Sequence, residues 1–276
     1  MSELSVRQLL STQIVTLRDV VCGGRHRHKS GAECSHATNL VFPYRGVYVR
    51  HLGRNDAVAE ANQVLFFNAT EGYCISHPIA GGDACLSLAI DEPLLRELVP
   101  KEQVRAGAAV AFREQRRRID ARTQALVALL RHSLIHNAVE TLEAETLLLT
   151  LVRRALSERT SQIARSTSAR QKLADRAKLV LSSDPARRWT LAQIAAEVGV
   201  SPVYLTQVFQ QVEGMPLYRY QLRLRLARAL DLLSRYDDLS SLSMDLGFSS
   251  HSHFSSAFRQ TYGRTPAEFQ RSANLR

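Results

Sequence analysis

The amino-acid sequence predicts an α+β protein in which a strand-rich N-terminal domain precedes a helical segment and an all-α C-terminal domain. Its 276 residues are enough for two domains that each bury a core without metals or disulfides. Short apolar runs separated by turn residues fill residues 13–91, and helical periodicity begins near residue 92. An internal repeat then starts near residue 191. These three observations define the class.

The N-terminal third has the pattern of an antiparallel β structure. Its apolar runs are rich in Val, Ile, Phe and Tyr, and Gly, Pro and Asp turn signals separate them. Six or so short strands at near-regular spacing favour a sandwich or a small barrel, with room for a pocket inside. The runs are QIVTLRDVV, TNLVF, GVYVRHL, NQVLFFNA, YCISH and ACLSLAI.

The segment that follows is predicted to be helical, first in EPLLRELV and then in TQALVALLRHSLIHNAVETLEAETLLLTLVRRAL. Apolar residues of the second stretch recur every three or four positions and form one stripe. The stripe would pack either on the β structure or on the same helix of a second copy, and the pattern leaves both open. Its members are Leu126, Leu129, Leu130, Leu134, Ala138, Val139 and Leu142.

Periodicity is lost in SERTSQIARSTSARQ, which is typical of a flexible linker. We therefore predict domains at residues 1–160 and 172–276, joined by a linker at 161–171. The chain has no run of about 18 apolar residues and no signal-peptide core at its N-terminus. A cytoplasmic protein without a membrane segment is expected, in which the four cysteines do not form a disulfide framework.

The charge balance indicates a polyanionic partner. The chain carries 36 Lys and Arg against 26 Asp and Glu, a formal net charge of +10. From Arg170 onward there are 15 basic and 9 acidic residues, against 21 and 17 before it, so the excess is denser in the C-terminal part. Nucleic acid fits this excess, although a solvated basic surface would have the same composition.

The C-terminal part contains a repeat of 48 to 49 residues. Each copy predicts a short helix, a glycine-containing turn and a second helix. Gly199 and Gly247 lie where the first helix must end, a position that often requires positive φ. Ser201 and Ser250 follow as predicted helix caps. The matched sets are Leu191, Ile194, Gly199, Leu205, Phe209 and Gly214 in the first copy and Leu239, Leu242, Gly247, Phe254, Phe258 and Gly263 in the second.

A helical connector, PLYRYQLRLRLARALDLLSR, separates the copies. About 19 helical residues span roughly 28 Å, which approaches the roughly 34 Å of one DNA turn. Such a connector could hold the two second helices in successive major grooves on one face of a duplex. A single subunit would then read a non-palindromic site. The alternative is a plain helical bundle with an accidental repeat.

Two segments, WTLAQIAAEVGVSPVYLTQVFQQVEGMPLYRYQLRLRLARALDLL and LGFSSHSHFSSAFRQTYGRTPAEFQR, strongly resemble the DNA-binding domain of the AraC family of bacterial transcription regulators. The resemblance covers about residues 172–272. It implies seven helices, a long connector, base contacts from two recognition helices, and sequence-specific transcription control, mostly activation. Ser243 departs from the alanine usual in the family and puts the tightness of packing at that turn in doubt.

The resemblance also assigns candidate DNA contacts. Gln207 matches the edge of adenine, and Val203 matches the methyl group of thymine, while the Ser and His positions suit either bases or phosphates. The first recognition helix offers Pro202, Val203, Thr206, Gln207 and Gln210, and the second offers His251, Ser252, Ser255, Ser256 and Arg259. Arg187, Arg188, Arg223 and Arg259 are predicted phosphate contacts.

The architecture of the N-terminal half resembles the design common in the family, in which a cupin-like barrel binds an effector and adjoining helices dimerise. This likeness favours a homodimer that binds double-stranded DNA, a small-molecule effector and RNA polymerase, and no cofactor is expected. Candidate pocket residues are Tyr44, Tyr48, Arg50, Phe66 and Tyr73, although aromatic residues in strands are more often part of the core.

Two alternatives involve metals. His26, His28 and Glu33 echo the ligand spacing of cupin enzymes, which would make the chain a metal-dependent enzyme with a DNA-binding tail. The second cupin motif is missing and the segment is a basic loop, so we do not expect an enzyme. A thiol- or metal-responsive regulator is the other alternative, although the Cys and His spacings match no zinc rule and strand cysteines are usually small buried apolar groups. Its candidate residues are Cys22, Cys34, His36, Cys74, His77 and Cys85, with Cys34, His36, His77 and Cys85 as the candidate metal ligands.

Overall fold

The computed structural model describes residues 4–24, 27–107, 109–157 and 167–274, and it divides the chain into two compact units at residues 160 and 161. The first unit holds antiparallel sheets followed by helices, and the second is helical. The predicted α+β class is confirmed. Most of the predicted linker, residues 161–166, lies outside the described residues, as does His26.

The N-terminal unit contains two antiparallel sheets. One has six strands in the order β1-β2-β8-β3-β6-β9, and the other has three in the order β5-β4-β7. The strands are β1 (Leu4–Ser11), β2 (Val15–Cys22), β3 (Asn39–Gly46), β4 (Tyr48–Leu52), β5 (Asn55–Ala59), β6 (Gln63–Phe67), β7 (Cys74–Ser76), β8 (Asp83–Ile90) and β9 (Arg116–Arg118).

Strands β1, β5 and β9 escaped the sequence analysis. Strand β1 is an edge strand whose Leu4 and Val6 are 51% and 52% exposed, so it lacks the alternation of a half-buried strand. Strands β5 and β9 are five and three residues long, and β9 consists entirely of arginine. Apolar patterning therefore detected the other six strands and passed over these three.

The six-stranded sheet is apolar on both faces. Val64 and Phe66 of β6 face one core, and Leu65 and Phe67 face the other, as the alternation of side chains along a strand requires. The first core also contains buried residues of three helices, α1 (Glu92–Leu98), α2 (Ala121–Ile135) and α3 (Thr141–Leu156). The second contains Tyr48 and Ala59 of the smaller sheet. The unit thus has a helical layer, a large sheet and a small sheet.

The predicted apolar stripe is divided between two helices. Helix α2 ends at Ile135, and Asn137 follows with a φ of 53°, a left-handed conformation that a continuous helix excludes. Leu130 and Leu134 pack in the core against the sheet, whereas Leu142 is 75% exposed at the start of α3. The prediction that one apolar stripe continues across this break was therefore wrong for Ala138 and Leu142, because both are exposed.

The C-terminal unit contains seven α-helices within the described residues, as the resemblance implied. They are α4 (Ser168–Ser183), α5 (Leu191–Val198), α6 (Pro202–Glu213), α7 (Leu217–Leu232), α8 (Leu239–Asp245), α9 (His251–Tyr262) and α10 (Pro266–Asn274). The connector α7 has 16 residues and is one turn shorter than predicted, because its last residues form a 3-10 turn at Leu233–Arg235. Helix and turn together span roughly 30 Å.

Each half of this unit has its own core. In the first half, Leu205, Val208 and Phe209 of α6 pack with residues of α4, α5 and α7. In the second half, Phe254 lies 5.2 Å from Phe248 and 5.8 Å from Phe258 between ring centroids. Burial of these apolar faces fixes which side of α6 and of α9 remains exposed.

Among the helices that the structure describes, none is long and apolar enough to cross a membrane.

Candidate nucleic-acid interface

Helix α6 presents a polar face on the side opposite its core. Ser201 caps the helix, with its hydroxyl oxygen accepting a hydrogen bond from the Tyr204 N–H at 3.3 Å. Val203 is 69% exposed, although it is apolar. Thr206 is half-buried, and its hydroxyl donates to the Pro202 carbonyl at 3.0 Å. The exposed predicted residues of this helix are Pro202, Val203, Gln207 and Gln210.

Helix α9 is built in the same way. Ser250 caps it by accepting a hydrogen bond from the His253 N–H at 3.1 Å. Ser255 is half-buried, and its hydroxyl lies 3.3 Å from Nε2 of His251, so both side chains have a partner on the helix. The exposed predicted residues of α9 are His251, Ser252, Ser256 and Arg259. All ten predicted recognition residues thus lie on the exposed or half-buried sides of α6 and α9.

The two glycine turns have the predicted conformation. Gly199 has a φ of 71° and Gly247 has a φ of 77°, a region where a side chain is strained. Ser243, the departure from the family pattern, is fully buried, and its hydroxyl donates to the Ser240 carbonyl at 2.7 Å. The buried hydroxyl therefore has a partner, and the helix turn accommodates it.

Arg225 of the connector joins the two halves of the unit, a role that the sequence analysis missed. Its Nε donates to the Pro185 carbonyl at 2.7 Å, and its Nη2 donates to the carbonyls of Ala186 at 3.1 Å and Arg187 at 2.9 Å. Its Nη1 donates to the Gly247 carbonyl at 3.1 Å. One guanidinium thus ties the loop before α5 to the turn between α8 and α9.

The same loop carries two of the predicted phosphate contacts. Arg187 and Arg188 are exposed, and the Arg187 guanidinium stacks on the Trp189 ring at 4.0 Å from its centroid. Burial, and secondarily the nearby charge of Arg188, lower the pKa of Arg225 from its ordinary value. Cationic side chains therefore concentrate at this loop. Arg223 is half-buried on α7, and Arg259 is exposed on α9.

Tyr204 is a second residue that the sequence analysis missed. It is 46% exposed beside Val203 at the start of α6. Aromatic residues in an amphipathic helix are usually counted with the core, and no local pattern marked this one as exposed. Val203 and Tyr204 together form an apolar patch at the end of the helix that is predicted to enter a groove.

The predicted pocket residues of the N-terminal unit do not share one pocket. Tyr44 and Phe66 lie in the core that faces the helices, whereas Tyr48 and Tyr73 lie in the core between the sheets. The prediction of one joint pocket was wrong, because Tyr44 and Phe66 lie on the helix-facing side of the large sheet, whereas Tyr48 belongs to the smaller sheet. Arg50 is fully buried near the second group, with its guanidinium carbon 4.1 Å from the Phe67 ring centroid.

The predicted metal ligands are also separated. Cys34 and His36 are exposed, and Cys85 is buried in the core between the sheets. Within the described residues, the potential ligands that cluster are His77, Cys22 and Asp83, and of the four candidates this includes only His77. His28 and Glu33 of the cupin-like spacing are exposed.

Known proteins are similar in sequence to the C-terminal unit. Residues 194–272 match the model of a helix-turn-helix domain family. Regulatory protein PocR of Salmonella typhimurium is 34% identical over 85 residues, 30% of this chain and 28% of PocR. The HTH-type transcriptional regulator GadX of Escherichia coli O6:H1 is 36% identical over 92 residues, 33% of each chain. A Chromobacterium violaceum regulator structure, from the AraC-type DNA-binding domain-containing proteins, is 30% identical over 40% of this chain and 98% of that chain, with a TM-score of 0.37.

The C-terminal unit is a tandem helix-turn-helix DNA-binding domain. In this domain the chain is similar to DNA-binding transcription regulators of the AraC type. The chain spans about a third of the length of the curated relatives PocR and GadX, 28% and 33% respectively.

Proposed function

We propose that this protein is a sequence-specific transcription regulator that reads double-stranded DNA with α6 and α9. The observation that carries the proposal is the pair of capped helices, each with an apolar side in its own core and a polar side exposed. An α-helix fits the major groove, where base edges present a distinct pattern for each base pair. Two such helices on one domain read two adjacent stretches of one site.

Individual side chains divide into base readers and phosphate contacts. The exposed amide of Gln207 has the donor and acceptor needed to pair with adenine, and Val203 offers a methyl surface to thymine. Arg187 and Arg188 supply charge without base information. Substitution of Gln207 is therefore expected to change which sequence is bound, and substitution of Arg188 to weaken binding to every sequence.

Footprinting of the full-length protein on the DNA upstream of its own gene tests the proposal. A protected, sequence-specific site is expected. Gln207→Ala should lose protection within one part of the site, whereas Gln211→Ala should retain it, because the Gln211 amide oxygen already accepts a hydrogen bond from Arg170 at 3.1 Å. Uniform protection of all DNA, or equal effects of both variants, would count against specific reading by α6.

The salt dependence of DNA binding distinguishes the phosphate contacts from the base contacts. Arg188→Ala should reduce the slope of log affinity against log salt by about 0.9, the release of counterions from one phosphate. Gln207→Ala should leave that slope unchanged. An unchanged slope in the arginine variant would remove Arg188 from the interface.

We infer further that the N-terminal unit binds a small anionic effector between its two sheets. Arg50 is fully buried there, its Nε lacks a hydrogen-bond partner within the described residues, and its Nη2 has an ion-pair contact with Glu71 at 3.5 Å. A carboxylate would satisfy these donors. Saturated fatty acids and the matched alcohols are suitable probes: only the acids should raise the melting temperature, and Arg50→Gln should remove the effect. Equal shifts with acids and alcohols would contradict the assignment.

The remaining parts of the proposal concern assembly and output. The protein acts in the cytoplasm as a homodimer through its helical segment, and it activates transcription by contact with RNA polymerase. Exposed Leu142 at the start of α3 is a candidate contact between copies. Sedimentation equilibrium of the full chain should give a dimer that Leu142→Glu weakens; a monomer at micromolar concentration would contradict this part.

A further inference from the structure

Three side chains of different chemistry meet at the ends of two neighbouring strands of the large sheet in the N-terminal unit. A thiol sulfur of Cys22, a ring nitrogen of His77 and a carboxylate oxygen of Asp83 all lie within 4.8 Å of one another. Cys22 and Asp83 are directly opposite in the pairing of β2 with β8. His77 follows β7 and reaches the same place from the other sheet.

Three glycines allow backbone segments to pack closely around this cluster of Cys22, His77 and Asp83. A Cβ on Gly82 would lie 2.1 Å from the Cys22 carbonyl oxygen, and a Cβ on Gly24 would lie 2.4 Å from the Gly82 Cα. A Cβ on Gly46 would lie 2.0 Å from the Gly82 carbonyl oxygen. All three glycines have positive φ. The ends of β2 and β3 and the loop before β8 can therefore converge only because these positions lack side chains.

Two of the three side chains in the cluster, those of His77 and Asp83, are buried. The His77 and Asp83 side chains are 3% and 7% exposed, and His77 Nε2 lies 2.6 Å from Asp83 Oδ1. His77 Nδ1 has no hydrogen-bond partner within the described residues. A buried imidazole and a buried carboxylate carry a desolvation cost that a cation bound between them would offset.

We propose that Cys22, His77 and Asp83 form a binding site for a divalent transition-metal ion of the zinc type. Thiolate, imidazole and carboxylate are the three protein ligands that Zn²⁺ accepts. Ligand atoms about 2.0 to 2.3 Å from a tetrahedral zinc are roughly 3.4 to 3.7 Å apart, within the spacing found here. The His77–Asp83 hydrogen bond is exchanged for coordination, and these atoms separate by under 1 Å.

The exposure of the cluster suits reversible binding. Cys22 is half-buried and carries a thiol rather than a disulfide, so an ion can enter from its side. Three protein ligands leave a fourth position for water or for a ligand of the regulator. The proposal concerns the N-terminal unit and does not depend on how the C-terminal unit reads DNA.

Cobalt titration of the chelator-treated full-length protein tests the site. One equivalent of Co²⁺ should bind with a thiolate-to-cobalt charge-transfer absorption, and Zn²⁺ should displace it. Cys22→Ser should abolish this absorption, whereas Cys34→Ser, at an exposed cysteine outside the cluster, should retain it. His77→Gln and Asp83→Asn should weaken cobalt binding at least tenfold.

A second readout guards against variants that fail to fold. Zn²⁺ should raise the melting temperature of the unmodified protein and of Cys34→Ser, and should leave that of Cys22→Ser unchanged. Absence of a thiolate–cobalt absorption in the unmodified protein would overturn the proposal and leave His77 and Asp83 as a structural hydrogen-bonded pair. Retention of the absorption in Cys22→Ser would overturn it equally.

Discussion

Arg225 donates a hydrogen bond to the carbonyl oxygen of Gly247 at 3.1 Å and thereby links the connector helix to the second helix-turn-helix turn. The same guanidinium binds three carbonyls of the loop before the first helix-turn-helix. The distance between two recognition helices decides which site a single subunit can read. We therefore expect this contact to influence which DNA sites the domain selects.

Replacing Arg225 by lysine should loosen the two halves of the domain. Lysine keeps the charge, but its single ammonium cannot serve carbonyls on two sides as the planar guanidinium does. We expect a loss of about 2 kcal/mol in the stability of the C-terminal unit, which corresponds to one or two charge-assisted hydrogen bonds. The fluorescence of the single tryptophan, Trp189, reports unfolding of this unit within the full-length chain.

The matched control for this change is Arg219→Lys on the same helix, because Arg219 is exposed. It should leave the unfolding midpoint within experimental error. Equal unfolding midpoints for both variants would show that the Arg225 contacts do not help to hold the two halves of the domain together.

Gly247 and Gly263 allow a separate test of how closely the loop before α5 packs on the turn between α8 and α9. Both have a φ of 77°, but a Cβ on Gly247 would lie 1.9 Å from the Ala186 carbonyl oxygen, whereas nothing lies within 4 Å of one on Gly263. Gly263→Ala should cost about 1 kcal/mol from the left-handed backbone alone. Gly247→Ala should cost about 3 kcal/mol, because the Ala186 backbone must also move. If chemical unfolding gave similar losses of stability for the two variants, the Ala186 backbone would not be in close contact with Gly247.

A buried ion pair in the first half of the C-terminal unit predicts that removing one of its charges strongly lowers stability. The side chains of Lys178 on α4 and Glu213 on α6 are 0% and 3% exposed, with Nζ 2.5 Å from Oε1. Glu213→Ala should destabilise the unit by about 3 kcal/mol, since it removes the nearer carboxylate from a buried ammonium whose contact with Asp175 is longer, at 3.5 Å. Glu197→Ala, on the exposed side of α5, should have little effect.

The double variant Lys178→Met with Glu213→Leu distinguishes a missing partner from damaged packing. It should recover most of the lost stability, because apolar side chains of similar size replace both charges. If the double variant were as unstable as Glu213→Ala, packing rather than the charge would explain the loss.

The cap of α8 predicts a pH-dependent contribution. The Asp238 carboxylate accepts hydrogen bonds from Ser241 and Ser240, which lower its pKa from 3.8 to about 2. A lowered pKa in the folded state stabilises the protein above the ordinary value, and this contribution is lost as the pH falls from about 4 to 2. The stability difference between the unmodified protein and Asp238→Ala should therefore shrink over that interval.

Asp237→Ala is the control, since Asp237 is exposed next to Asp238 but does not cap the helix. This variant should not reproduce the shrinking stability difference between about pH 4 and pH 2. A constant difference for Asp238→Ala over the same range would contradict the assigned hydrogen bonds.

Features that depend on local chemistry were predictable from the sequence. Gly199 and Gly247 have the expected positive φ, and Ser201 and Ser250 cap the following helices. Each of these depends on a few adjacent residues, so a pattern in the sequence reports it directly. The exposed faces of α6 and α9 follow from the same spacing that buries their apolar faces.

Features that depend on distant partners were not predictable. Arg225 binds carbonyls about forty positions earlier in the chain, and no pattern within the helix marks that role. Cys22 meets Asp83 through the register of two strands, and nothing in the sequence marked Asp83 as a partner for the candidates Cys22 and His77. Likewise, the predicted pocket is divided because Tyr44 and Phe66 face the helical core, whereas Tyr48 and Tyr73 lie in the core between the sheets.

Selection of DNA from a random pool by the full-length protein tests the central claim most directly. Two short recognised elements about 10 base pairs apart on one face of the duplex are predicted, because the connector spans roughly one helical turn. Gln207→Ala should alter the preferred bases in one element and Arg259→Ala should weaken binding at the other. Enrichment of no sequence, or of a single element unaffected by changes in α9, would contradict the account.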